Sequence, residues 1–178
     1  MIVSRRRIIP LLAAAASAPA VLVSNAAWAQ ANVWREYRRD DLGFRVELPG
    51  EPEVEEKEDE AKDILIRSVD VQVDYEKMSF GVHHTEYKDT ISAEEEFGLF
   101  REGMAAGGFP VTREAALMID GVSAREFICE SDAINLIHQL VVKDRFTIGV
   151  AVAGESEIHG SPLTRRFFDS FKLLGNAR

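Results

Sequence analysis

Between Ile134 and Ala153 the sequence alternates twice with the period of a β-strand. Ile134, Leu136, Leu140 and Val142 precede the turn Lys143-Asp144-Arg145, and Phe146, Ile148, Val150 and Val152 follow it. A period of two sends one set of side chains to one face, so each arm reads as a strand with a buried face. Together they predict the central hairpin of a sheet. The rest of the chain must then supply antiparallel neighbours for that hairpin or helices that cover it.

It supplies both. After a short amphipathic opening at Trp34 to Arg38, Phe44-Arg45-Val46-Glu47-Leu48 alternates until Pro49-Gly50 stops it. Ile64 to Tyr75 puts Leu65, Val69, Val71 and Val73 on one face and Ser68, Asp70, Gln72 and Asp74 on the other; Glu76-Lys77 turns the chain, and Met78, Phe80 and Val82 carry the apolar face back to about Tyr87. Val111 to Ile119 and Ala124 to Glu130 flank Asp120-Gly121, a dipeptide suited to a tight hairpin turn. Two helices are predicted. Ser92-Ala93-Glu94-Glu95 is a capping box, with Phe97, Phe100 and Met104 on one face beyond it and Gly107-Gly108 as the stop. Ser161-Pro162 reads as the cap and first residue of a closing helix, whose apolar face is Leu163, Phe167, Phe168, Phe171 and Leu174 and which Gly175 ends. The order predicts an α+β fold, an α-β-α sandwich with a central antiparallel sheet covered by helices.

The first 29 residues read as an address. Arg5, Arg6 and Arg7 precede an Ala- and Leu-rich stretch from Pro10 to Val23, and Ala27-Trp28-Ala29 has the small-x-small pattern of a cleavage site, so the mature chain is expected to begin at Gln30. Ser4-Arg5-Arg6-Arg7-Ile8-Ile9 is also similar to a twin-arginine motif, with Ile8 where phenylalanine is usual. Folded export and ordinary Sec export both stay open. The apolar stretch is too short for a membrane span, so a soluble periplasmic or secreted product without stable membrane insertion is expected, a single domain over 30–178.

Removing 1–29 takes three of 21 basic residues and none of the 30 acidic ones, which leaves 18 − 30 = −12. Such a surface repels a phosphate backbone, so nucleic acid is not an expected partner. Much of the charge sits in an acidic run over 51–63, including Glu53, Glu55, Glu56, Glu58, Asp59 and Glu60, which is read as a solvated loop. It lacks the glycine-punctuated spacing of a calcium loop. The lone Cys129 has no internal disulfide partner and shares a strand face with Phe127, as a packed, unreactive thiol would.

Catalytic motifs are missing. There is no Cys-x-x-Cys, His-Glu-x-x-His, phosphate-binding glycine loop or Gly-x-Ser-x-Gly. His83 and His84 are adjacent, so on a strand they point to opposite faces and do not chelate one ion. No catalytic residue, metal site or cofactor is expected. His138, set between Leu136 and Leu140, reads as a core histidine; with His84 and Tyr87 it could also line a pocket between sheet and helix.

Trp34 and Tyr37, with Gly43-Phe44-Arg45-Val46-Glu47-Leu48-Pro49-Gly50-Glu51-Pro52, resemble the opening of exported bacterial proteins of the PsbP-like family, and Phe168-Asp169-Ser170-Phe171-Lys172-Leu173 resembles their closing helix. The resemblance implies the same α-β-α sandwich and a non-catalytic role attached to a larger assembly. It does not name the assembly. The functional expectation is an accessory protein that docks to another protein, or alternatively a carrier of a small ligand or metal in the sheet–helix pocket.

Overall fold

The computed structural model describes residues 34–58, 65–155 and 158–175. Among the described residues ten strands form two antiparallel sheets, and two α-helices pack against them. The large sheet has seven strands: β3 (Glu53–Glu58), β4 (Leu65–Tyr75), β5 (Met78–Tyr87), β6 (Val111–Ile119), β7 (Val122–Glu130), β8 (Asn135–Lys143) and β9 (Phe146–Gly154). Their spatial order is β3-β4-β5-β9-β8-β7-β6, so the hairpin β8–β9 does lie inside the sheet. The small sheet joins β1 (Arg35–Arg39), β2 (Phe44–Leu48) and the two-residue β10 (Lys172–Leu173) in the order β1-β2-β10.

The main core lies between the two sheets. Phe44, Val46 and Leu48 of β2 point inward onto Val69, Val71 and Val73 of β4, Phe80 and Val82 of β5, and Ile148, Val150 and Val152 of β9. Helix α2 (Pro162–Ser170) completes that layer: Ser161 accepts the Leu163 N–H at its start, and Phe167 meets Phe80 edge to face with ring centroids 5.3 Å apart. Each such buried phenylalanine contributes about 2–3 kcal/mol through the area it removes from water. The opposite face carries a smaller core, where Phe97 of α1 (Ala93–Ala106) packs on Phe127, Leu140 and Val142. Arg125 of β7 holds that helix in place. Its guanidinium lies over the Phe97 ring and donates to Glu94 of α1 and Glu114 of β6 at 2.8 and 2.7 Å.

The predicted α-β-α sandwich is therefore wrong. The protein is mostly β: a second sheet, with α2 beside it, takes the place of one helical layer, and among the described residues only α1 covers part of the other face. Geometry explains the second half of that correction. A 14-residue helix is about 21 Å long and about 10 Å wide, whereas seven strands span about 29 Å, so one helix leaves much of the face open. The first half follows from the end of the chain. The closing helix does not run on to Leu174; it stops at Ser170, and Lys172 and Leu173 pair with Arg45 and Phe44, which makes β2 the middle strand of a sheet.

The hairpin needs a second correction. In the register Leu140 opposite Gly149 and Val141 opposite Ile148, the alternating residues of the two arms point to opposite faces: Leu140 and Val142 face α1, while Ile148, Val150 and Val152 face the small sheet. Each arm has the right period. The sheet is buried on both sides there, and periodicity alone does not tell one face from the other.

Candidate functional site

The three residues predicted to share a pocket do not meet. His84 points between the sheets, 4 % exposed and stacked on Phe146 with centroids 5.7 Å apart. His138 points to the other face and lies against Phe100 of α1 at 4.4 Å, while Tyr87 donates to Glu96 of α1 at 3.1 Å. Neither His84 Nδ1 nor His138 Nε2 has a hydrogen-bond partner among the described residues. Burial first, and then the positive charge of neighbours (His83 for both rings, Arg67 and Arg39 also for His84), lowers the imidazole pKa values to about 4 for His84 and about 3 for His138, so both are neutral at physiological pH. Among the described residues no group of three His, Cys, Asp or Glu side chains is placed to hold a metal ion.

His83 makes the connection that sequence reasoning missed. On the open face of the sheet its Nδ1 meets Asp70 Oδ1, directly across the β4–β5 ladder, and its Nε2 meets Thr85 Oγ1 at 2.7 Å. The spacing was available in the alternation, since Asp70, His83 and Thr85 share a face. What was not available was the register that sets Asp70 opposite His83. The order carboxylate, imidazole, hydroxyl resembles a nucleophile relay, but Thr85 is only 7 % exposed, which screens its hydroxyl from a substrate. Through the Asp70–His83 contact this row ties β4 to β5.

Cys129 is buried, and desolvation pushes its thiol up to about 11, as a packed side chain requires. Ser161 caps α2, and His159 lies 3.8 Å from Glu130. Two open clefts of about 480 and 460 Å³ lie on either side of the β4–β5 turn; Trp34, Leu163 and Arg166 line the first, Ile134 and Ala153 the second.

The acidic stretch is the feature that the structure changes most. Glu53, Glu55, Glu56 and Glu58 are not in a loop; they belong to β3, paired with β4 from Glu53 opposite Gln72 to Glu58 opposite Arg67. This is the outer strand of the large sheet, and all six of its residues are exposed. Alternation divides the charge: Glu53, Glu55 and Lys57 stand on the open face, Val54, Glu56 and Glu58 on the other. Glu56 is drawn inward. It accepts from Arg39 of β1 at 2.8 Å and from Arg67 of β4 at 2.7 Å, and Arg39 also donates to Asp41, so the cluster ties the small sheet to the outer strands of the large one. Glu53 and Glu58 have no ion-pair partner among the described residues, and Glu55 meets only Lys57 on its own strand. Asp59 and Glu60, like Ser4, Arg5, Arg6, Ala27, Ala29 and Gln30, lie outside the described residues.

No protein-family model and no curated protein matches this chain. Among the described residues no helix is long and apolar enough to cross a membrane.

Proposed function

We propose that this chain is an exported, non-catalytic accessory protein that docks to another protein through β3, and that the partner contributes a basic, extended segment. One observation carries the reading: the outermost strand of the large sheet is exposed along its whole length and is dominated by glutamate. An edge strand presents unpaired backbone N–H and C=O groups on its outer side, and an incoming strand satisfies them while its side chains select the partner. Glutamates at 53, 55 and 58 exclude acidic strands and favour lysine or arginine at the opposing positions. The export address at 1–29 and the likeness of 43–52 and 168–173 to exported PsbP-like chains support a periplasmic or secreted setting and an attached, non-enzymatic role.

The test is association of the chain from Gln30 with an extended peptide that alternates lysine and valine, compared with its glutamate–valine counterpart. The lysine peptide should bind, with an on-rate that falls as salt is added, and the triple variant Glu53→Lys, Glu55→Lys, Glu58→Lys should abolish binding. Glu56 is left alone because it belongs to the Arg39 and Arg67 cluster. Equal binding of the two peptides, or full binding by the variant, would overturn the reading.

A further inference from the structure

The two edges of the large sheet differ in how they are defended. Natural sheets protect an open edge with charges, proline, bulges or a covering segment, because an unprotected edge pairs with the next strand it meets. At one edge, β3 carries five charged residues in six. At the other, β6 is nine residues long, and the only charges it carries are Arg113 and Glu114, near its start. Glu114 is turned back onto Arg101 and Arg125, 2.9 and 2.7 Å away, and a register shift between Val111 and Arg113 disturbs the ladder at that end. From Ala115 to Ile119 the strand has no charge, no proline and no bulge, and Met118 is 64 % exposed.

We infer that β6 is a self-association edge, on which a second copy of this chain pairs its own β6 antiparallel about a twofold axis through Ala115. The axis stands perpendicular to the sheet, so opposed residues share a face only if it passes through a residue. Ala115 is the middle of Val111–Ile119, and centring there pairs the whole strand: Ala115 with Ala115, Glu114 with Ala116, Arg113 with Leu117, Thr112 with Met118 and Val111 with Ile119 of the copy. No charge opposes a like charge anywhere along that register. The same operation on β3 cannot avoid one, because centring on Glu55 sets it against itself and centring on Glu56 does the same. The charge pattern thus selects a second copy at β6 and forbids it at β3. The product is a continuous sheet of twice seven strands with a β3 edge at each far end. This inference is independent of the docking reading, since it uses the opposite edge.

The decisive experiment is sedimentation of the chain from Gln30, which holds both sheets and both cores, from micromolar to millimolar concentration. A concentration-dependent dimer is expected, and Ala115→Glu, which faces its own copy across the axis at an exposed position, should raise the dissociation constant at least about tenfold without changing the thermal midpoint of the monomer, measured below that constant. A cross-link serves as the second measurement. Opposed Cα atoms in an antiparallel pair lie about 4.5–5.5 Å apart, within disulfide reach, so Ala115→Cys oxidised by glutathione disulfide should give a covalent dimer, whereas Val54→Cys on β3 should not. The buried Cys129 does not compete. A monomer at every concentration, or equal cross-linking of the two cysteine variants, would overturn the inference, and neither result bears on peptide binding at β3.

Discussion

His138 and Gly149 are fitted to each other. A Cβ placed on Gly149 would lie 2.5 Å from His138 Nε2 and 2.7 Å from Cε1, and Phe100 packs against the imidazole with ring centroids 4.4 Å apart. The ring has little room to retreat, so Gly149→Ala should destabilise the fold by about 2–3 kcal/mol in chemical denaturation. His138→Ala should recover most of that loss in the double variant, because the two sites share one space.

The two buried histidines make stability fall in mild acid. Their folded pKa values, about 4 and about 3, lie below the ordinary 6.5, so the unfolded chain binds more protons in between. The stability they contribute is complete above pH 6.5 and is lost as the pH drops towards 4 for His84 and 3 for His138. For His84 the span is on the order of 3 kcal/mol. Denaturation midpoints measured from pH 7 to 4 should fall steadily, and His84→Leu should flatten the curve; a flat curve for the unaltered chain would refute the assignment.

The β4–β5 turn places two non-glycine residues in the left-handed region, Glu76 at φ 49° and Lys77 at φ 64°, whereas the β6–β7 turn places Asp120-Gly121 there. Replacing Glu76-Lys77 by Asn-Gly should stabilise the protein by about 1 kcal/mol, read as a rise in thermal midpoint. The side chains lost, an exposed lysine and a glutamate hydrogen-bonded to Tyr75 at 2.9 Å, hold nothing in either core.

Phe167 joins α2 to the large sheet through Phe80, and both rings are fully buried. Phe167→Ala should cost about 3–5 kcal/mol. Because Phe44 and Phe171 pack together in the same layer, with centroids 6.2 Å apart, the loss should loosen β10 and β2 as well, seen as faster amide exchange in both strands.

The Cys129 thiol, raised to about 11 by burial, should not react with a thiol reagent at neutral pH until the chain unfolds. Its labelling rate should therefore track global unfolding and rise with denaturant.

Alternation and turn chemistry determined most of the elements of this protein, though not β3 or β10. The strands through Val69, Val71 and Val73 and through Phe80 and Val82, the cap at Ser92 and the Asp120-Gly121 turn all depend on neighbours within a few residues, and local sequence carries that information. What lies opposite what was decided only by the tertiary structure. Ladder register set Asp70 against His83, sent the two arms of the β8–β9 hairpin to different faces and placed His84 and His138 on opposite sides of one sheet. Pairing across more than a hundred residues turned Lys172 and Leu173 from the end of a helix into a strand beside Arg45 and Phe44, and made a second sheet where a helical layer was expected. The acidic run shows the same division. Its charge was plain in the sequence, but hydrogen bonding to β4 made it a strand, and its place at the end of the strand order made it an edge. Local propensity is a property of the chain; register and strand order are settled by which buried surfaces fit together, and no short window of sequence contains both partners.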